Sequence, residues 1–143
     1  MELTQFTDFS LRTLIYVGLK NGELASIREI ASSFAISENH LTKVVHGLAK
    51  SGHLKTFRGR GGGITLGKAP EEIAIGELVR ELENMAVVEC LRPDGGACCI
   101  AGICKLQHAL RRATEAFLAE LDHYTLADLI TNEVDLKERL RVS

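Results

Sequence analysis

All four cysteines of this 143-residue chain lie within fifteen positions, in the stretch ECLRPDGGACCIAGICKL that covers residues 89–106. The Pro, the Asp and the three Gly of this stretch predict a loop. Seven residues separate Cys90 from Cys98, and five separate Cys98 from Cys104. In a reducing cytosol, clustered thiols more often bind metal or react than form structural disulfides. The loop is therefore the first candidate site.

The spacing of the thiols leaves several kinds of chemistry open. Structural zinc sites usually contain cysteine pairs about two to four residues apart; here Cys99 and Cys104 have four residues between them and there is no two-residue knuckle, which disfavours zinc. A redox switch is a second interpretation, because Cys98 and Cys99 are adjacent. An iron–sulfur cluster is a third, because a glycine-rich loop of thiolates can wrap a bulky cofactor. Incidental buried cysteines are the remaining alternative.

Three helices are predicted within the first 52 residues. Apolar spacing over residues 6–22 predicts the first. Ser26 followed by Glu29 is the pattern of a capping box and begins the second helix. Ser37 is a cap candidate for the third, which Gly52 would end. Two short amphipathic helices joined by a brief turn form a helix-turn-helix candidate.

A hairpin with a basic tip follows the third helix. Apolar and polar residues alternate at 54–56 and 64–66, and RGRGGG lies between these two arms. A helix-turn-helix followed by a hairpin is a winged helix. The predicted DNA contacts lie at the start and outer face of the third helix, where side chains can meet base edges, and at the wing tip, where Arg can meet phosphates or the minor groove and Gly allows close backbone approach. The third-helix candidates are Ser37, Glu38, Asn39, His40 and Lys43, with Thr42 and His46 on the same face; the wing candidates are Arg58, Arg60, Gly61 and Gly62.

The charge distribution agrees with DNA binding although the net charge is −2. Residues 1–68 carry nine Lys and Arg against five Asp and Glu, whereas residues 69–143 carry eight against fourteen. No apolar run reaches the ~20 residues of a membrane span, and no signal-peptide pattern opens the chain, so we expect a cytoplasmic protein. No nucleophile–base pattern or phosphate loop indicates an enzyme.

The second half of the chain predicts two further helices. One is expected within residues 71–84. The other is a single long helix over residues 105–131, whose apolar residues form a seam that suits packing against a partner helix. Residues 132–143 are polar, and we expect them to be loosely held. The apolar residues of the seam are Leu106, Leu110, Ala113, Phe117 and Leu121.

The predicted fold is therefore mainly α. It comprises a winged helix-turn-helix DNA-binding domain over residues 1–84, a cysteine-rich loop over 85–104, a dimerisation helix over 105–131 and a polar tail over 132–143.

The whole chain resembles the dimeric winged-helix iron–sulfur regulators. The resemblance covers about residues 1–131 and lies in LTQFTDFSLRTLIY, SENHLTKVV, RGRGGGITLG, IGELVRELE, the cysteine loop and FLAELDHYTLADLI. The opening segment and LDHYTLADL are most similar to the nitric-oxide sensors of that family. The resemblance implies a homodimer that represses transcription from operator DNA and carries one cluster per subunit, [2Fe–2S] or [4Fe–4S], whose reaction with nitric oxide releases the DNA.

The resemblance also implies a set of cluster ligands. The family's spacing selects Cys90, Cys98 and Cys104 and leaves Cys99 spare. One branch of the family uses a His three residues after the last cysteine, but this chain has Gln107 there.

In the nitric-oxide sensors an Asp of the first helix, from the other subunit, is the fourth ligand. Asp8 is the matching residue, with Arg12 one turn away to steady it. A sensor of iron or cluster supply, and a zinc or thiol redox sensor, remain as alternatives.

Overall fold

The computed structural model describes residues 1–143 and is mainly helical. One two-stranded antiparallel sheet accompanies seven α-helices and two short 3₁₀ turns, Pro70–Glu72 and Glu89–Leu91. No helix combines the length and apolar character that a bilayer span requires. In chain order the elements are α1 Gln5–Leu19, α2 Ile27–Phe34, α3 Glu38–Lys50, β1 Leu54–Phe57, β2 Gly63–Leu66, α4 Ile75–Leu82, α5 Lys105–Leu121, α6 Leu126–Leu129 and α7 Glu133–Leu140.

Helix α1 lies at the centre of the molecule and packs against α2, α3, α4, α6, α7 and β2. Its inner side chains, among them Leu14, Val17 and Leu19, are almost completely buried. Gly18 lets the next layer approach closely, because a Cβ at this position would lie 3.3 Å from a methyl carbon of Ile130 and 3.5 Å from one of Leu126. The core is therefore built around α1, which positions the elements on either side of it.

The predicted helix caps are confirmed, and they set the geometry of the helix-turn-helix. The Glu29 amide donates to Ser26 Oγ at 3.1 Å, and the Ser26 amide donates to Glu29 Oε2 at 2.7 Å, which is the reciprocal capping box. Ala35 ends α2 in the left-handed conformation, with φ of 55°. Ser37 then caps α3 through its side chain, which accepts from the His40 amide at 3.1 Å.

The predicted wing is confirmed as the antiparallel pair β1 and β2. Leu54 pairs with Leu66, and Phe57 pairs with Gly63. Ala25 forms an antiparallel bridge to this sheet: its amide donates to the Ile64 carbonyl oxygen at 2.9 Å, and its carbonyl oxygen accepts from the Ile64 amide at 2.7 Å. These two bonds attach the wing to the segment between α1 and α2.

The single helix predicted over residues 105–131 is wrong beyond Leu121. The chain turns at residues 122–125 because their polar groups find partners near α4: the Ile75 amide donates to the Tyr124 carbonyl at 3.0 Å, and Arg80 Nη2 donates to Asp122 Oδ2 at 2.8 Å. A capping box at Thr125 then starts α6. The turn places α6 against α1 instead of extending α5 into solvent.

The expectation of a loosely held polar tail is also wrong. Residues 133–140 form α7, which packs on α1. Leu140 is buried, and Ser33 Oγ of α2 donates to its carbonyl oxygen at 2.8 Å. Leu136 is half-buried against the same core, so two apolar side chains four residues apart attach this otherwise polar helix.

Candidate DNA-binding surface and cysteine loop

Helix α3 presents a polar outer face because the core takes its inner positions. Leu41, Val44 and Leu48 have no exposed surface. The predicted base-reading side chains lie on the opposite side: Ser37, Glu38, Asn39, Thr42, Lys43 and His46 are exposed, and His40 is half-buried. The structure therefore brings together all the third-helix residues that the sequence predicted.

Two contacts on this face occupy polar groups that could otherwise meet DNA. Thr42 Oγ1 donates to the Glu38 carbonyl oxygen at 2.8 Å. Glu38 Oε1 lies 3.7 Å from Nε of Arg28, a residue of α2 that sequence reasoning missed. This ion pair offsets a carboxylate that would repel phosphates. Further exposed polar side chains among the predicted DNA contacts on this face are Asn39, Lys43 and His46.

The wing tip is a narrow, basic turn. Arg58 and Arg60 are exposed at its end, separated by Gly59. Gly59 and Gly61 adopt φ values of 85° and 76°, where an L side chain is strained. A Cβ at Gly62 would lie only 2.2 Å from the Phe57 carbonyl oxygen. The glycines are thus required by the turn itself, and they keep the tip slim enough to enter a groove.

A buried histidine, which sequence reasoning missed, joins the wing to α4. His53 precedes β1 and is only 7% exposed, and its Nε2 lies 2.9 Å from Glu81 Oε2. Its Nδ1 is buried without a hydrogen-bond partner. Burial by itself raises the pKa of Glu81, but hydrogen bonds from His53 and Ser51 outweigh it and leave the pKa below its usual value. No local pattern could reveal a pair 28 residues apart.

Asp8 lies on α1 at the edge of the DNA-reading surface. Arg12 grips it with two hydrogen bonds, from Nε to Oδ1 at 3.0 Å and from Nη2 to Oδ2 at 2.7 Å, as predicted for a residue one turn on. The Arg12 guanidinium also lies 5.6 Å from the ring centre of Phe9. Phe9 in turn meets the His40 ring edge-on at 4.7 Å. Asp8 is therefore connected through three side chains to the start of α3.

The cysteine loop is open, and its thiols are not gathered into one site. Cys90 lies in the 3₁₀ turn Glu89–Leu91 and Cys104 directly precedes α5; both are half-buried. Cys98 and Cys99 are exposed, and all four cysteines are free. The structure contains no group of three or more His, Cys, Asp or Glu side chains placed to hold a metal ion. Asp8 is likewise not brought into a set with the cysteines.

Two side chains to which the sequence assigned no role, those of Glu89 and Gln107, organise this loop locally. Glu89 Oε1 accepts from the Ala97 amide at 2.9 Å. Gln107 accepts from the Gly102 amide and donates to the Cys90 carbonyl oxygen. The three glycines predicted to mark a loop all have positive φ, between 60° and 90°. Isolated Glu and Gln residues give no sequence signal for such roles.

The donors in the loop fit an iron–sulfur cluster by their chemistry. Thiols that are free and partly accessible can become thiolates, and such soft ligands select zinc, copper(I) or iron–sulfur clusters over hard cations. Between Cys90 and Cys104 the only regular element is a 3₁₀ turn. No helix or strand there would prevent the backbone from wrapping around a cluster. A cluster of several atoms requires that freedom, whereas the spacing lacks the short knuckle of structural zinc.

The chain is similar to known transcriptional regulators over nearly its whole length. The family model of Rrf2, iron-dependent transcriptional regulators, matches residues 3–132. The chain is 47% identical over 143 residues to the helix-turn-helix transcriptional regulator NsrR of Geobacillus kaustophilus, covering 99% of this chain and 97% of that protein. It is 46% identical over 144 residues to NsrR of Bacillus subtilis, covering 99% of each.

Solved structures confirm the winged-helix fold. CymR, the global cysteine regulator of B. subtilis, superposes with a TM-score of 0.72 at 28% identity, covering 92% of this chain and 98% of that one. IscR of T. potens superposes with a TM-score of 0.73 at 21% identity, covering 92% and 88%, which shows the fold alone. The chain is a helix-turn-helix transcriptional regulator and belongs to the Rrf2 family.

Proposed function

We propose that this regulator is a homodimeric repressor that releases its operator when nitric oxide attacks an iron–sulfur cluster held by the cysteine loop. The main observation behind this proposal is that one chain combines the exposed polar face of α3 and a basic wing with four free thiols in an open loop. The similarity to NsrR proteins over nearly the whole chain supports the same assignment. In this proposal the protein is a sensor and not an enzyme, and it acts in the cytoplasm, where the DNA is.

DNA binding would use the start of α3 and the wing. Asn39 and Lys43 are exposed at the N-terminal end of α3, the end that meets base edges when such a helix enters the major groove. Ser37 precedes them, and His40 lies between them in the sequence. Arg60 and its neighbours at the wing tip would contact phosphates or the adjacent minor groove.

Dimerisation would use the apolar side of α5. Leu106 of the predicted seam is 64% exposed, and Leu110 and Phe117 are only half-buried. Leu110 and Phe117 line an apolar groove together with Met85 and Met1. A second copy with the same face would cover this surface and place two reading helices for a two-fold operator. Helix α5 ends at Leu121, so it contains the whole of the predicted seam.

Three loop cysteines and one carboxylate would hold the cluster. Cys90, Cys98 and Cys104 are the proposed thiolate ligands, Cys99 is spare, and Asp8 from the partner subunit is the proposed fourth ligand. The carboxylate of Asp8 is 41% exposed, so it can be reached from outside. When bound, the cluster supplies iron at which nitric oxide binds and displaces protein ligands.

The connection from Asp8 to DNA would pass through Arg12. While Asp8 serves as a ligand, Arg12 shares its carboxylate and remains stacked near Phe9, whose ring holds His40 at the start of α3. Loss of that ligation would leave the carboxylate to Arg12 alone, and the Arg12–Phe9–His40 contacts would carry the change to the start of α3. A coupling of only ~1–3 kcal/mol alters DNA affinity about 5- to 150-fold.

The test is anaerobic binding of fluorescent operator DNA before and after addition of stoichiometric nitric oxide. We expect the wild-type protein to contain iron and sulfide and to lose affinity on treatment. Cys98→Ser should abolish the nitric-oxide response, whereas its adjacent match, Cys99→Ser, should retain it. An iron-loaded protein with unchanged affinity after treatment contradicts the proposal.

The exposed, adjacent pair Cys98 and Cys99 favours one second candidate, a thiol-based redox sensor. In that case the protein would lack iron, and both serine variants would lose the response to oxidant. Metal analysis of protein purified without air separates the two candidates, because a colourless protein with zinc or no metal excludes the cluster.

A further inference from the structure

Gln107 is an unusual residue in α5. Along this helix only Gln107 and Leu118 are buried, and the other polar side chains are exposed or half-buried. Gln107 is 7% exposed. Burying an amide is costly unless its polar atoms are hydrogen-bonded. The buried amide of Gln107 therefore needs hydrogen-bond partners.

Both ends of the cysteine loop supply those partners. Gln107 Oε1 accepts from the Gly102 amide at 2.8 Å, and Nε2 donates to the Cys90 carbonyl oxygen at 3.2 Å. The identity of these atoms fixes the orientation of the amide, because an N–H must face an acceptor and a C=O must face a donor. One side chain thus joins the first cysteine to the segment that leads into the last, Cys104.

The exposure of the four thiols follows this arrangement. Cys90 and Cys104, at the ends that Gln107 ties together, are half-buried. Cys98 and Cys99 lie between these ends and are exposed. Ordering a chain segment costs conformational entropy, so a segment that is already held binds a ligand more readily.

We propose that Gln107 is a positioning residue that pre-organises Cys90 and Cys104 for the cluster, and that it is not itself a ligand. Both polar atoms of Gln107 already have backbone partners, which argues against ligation. The exposed middle of the loop then closes last, through Cys98. This inference rests on the proposed function, because it assigns the order in which the loop engages the cluster.

Two variants separate the two hydrogen bonds. Gln107→Leu removes both, and Gln107→Glu keeps an acceptor for the Gly102 amide while losing the donor to Cys90. His108→Leu, at the exposed neighbouring position, is the matched control. Thermal unfolding identifies any variant that fails to fold, and the Glu variant is the fallback if the Leu variant does.

The first measurements use metal-free, reduced protein. Hydrogen exchange at the Gly102 amide should be roughly tenfold faster in Gln107→Leu, the amount expected from one lost hydrogen bond, and close to wild type in Gln107→Glu. Alkylation of Cys90 by iodoacetamide should be faster in both variants, because both lose the bond to its carbonyl. His108→Leu should change neither rate.

The second measurement uses cluster-loaded protein. Retention of iron against a chelator should fall about 10- to 100-fold in Gln107→Leu, the usual effect of losing a residue that orients ligands, and should be unchanged in His108→Leu. A wild-type protein without iron contradicts the proposed function, and the exchange and alkylation rates then still decide whether Gln107 positions the cysteines. Unchanged rates and retention in Gln107→Leu, or loss of iron only in His108→Leu, overturn the inference.

Discussion

The DNA-reading surface and the cysteine loop are held by different means. The reading helix α3 and the wing rest on a continuous core of side chains such as Leu14, Leu41 and Ile64. In contrast, no residue between 83 and 104 is buried, and the loop is shaped by backbone amides that donate to the side chains of Glu89, Asp94 and Gln107. Packing thus fixes the winged helix, whereas the loop lacks a packed core, which is consistent with its proposed closure around a cluster.

The largest expected difference between the two regions is in core packing. Leu48→Ala, at a fully buried position of α3, should lower the free energy of unfolding by about 2–5 kcal/mol through lost burial and a residual cavity. Ile100→Ala, in the loop and 49% exposed, should change it by less than about 0.5 kcal/mol. Urea denaturation measures both; similar losses would mean that the loop packs as tightly as the winged helix.

A second pair of variants tests the backbone of each region. Gly62→Ala would place a Cβ 2.2 Å from the Phe57 carbonyl oxygen, so the wing must distort. We expect operator affinity to fall about tenfold, in keeping with a strain near 1–3 kcal/mol. Gly95→Ala, in the loop at φ of 75° with open space around it, should cost stability without altering DNA affinity of the metal-free protein. Equal effects on binding would contradict the assignment of the wing.

A third variant sharpens the role of the wing. Arg60→Ala should weaken DNA binding across sequences and reduce the slope of log affinity against log salt by about 0.9, as for one lost phosphate contact. Arg92→Ala in the loop, also exposed, is the matched control and should leave the slope unchanged. Fluorescence anisotropy at several salt concentrations provides the slopes, and an unaltered slope for Arg60→Ala would place that residue off the DNA.

The smallest expected effect concerns acid stability at the root of the wing. Since the pKa of Glu81 is lowered in the folded state from 4.5, its ionised form stabilises the fold above pH 4.5, and that contribution is lost as the pH falls below 4.5 through the lowered value. Glu81→Gln should reduce this acid dependence by no more than about 1 kcal/mol, because Glu81 is partly exposed. The measurement is the free energy of unfolding of the wild type and of Glu81→Gln between roughly pH 3 and 7. The same pH dependence in both proteins would contradict the stabilising role of ionised Glu81.

The winged helix was predictable because the sequence patterns that define it are local. Caps at Ser26 and Ser37, apolar spacing in the helices and the alternation that flanks RGRGGG define the winged helix within short windows of sequence. The turn after Leu121 was not predictable in the same way. It depends on Arg80, which lies 42 residues before its partner Asp122, while the helical periodicity of α5 offers no local reason to stop.

The candidate site was predictable in composition and not in arrangement. The loop positions and the glycines follow from residue types, whereas Asp8 was selected by the family resemblance and Arg12 by its place one helical turn later. The roles of His53 and Gln107 could not be predicted in this way. Their burial depends on hydrogen-bond partners that are distant in the sequence and are brought close only by the fold. The assignment of Cys98 over Cys99 stays a prediction from spacing.

The hydrogen bond from Ser33 to Leu140 has a practical consequence for handling the protein. It places the last helical turn against α2, the first helix of the helix-turn-helix. A purification tag or fluorescent reporter attached beyond α7 would therefore start close to α2, and operator affinities measured with such a fusion need comparison with protein from which it has been cleaved.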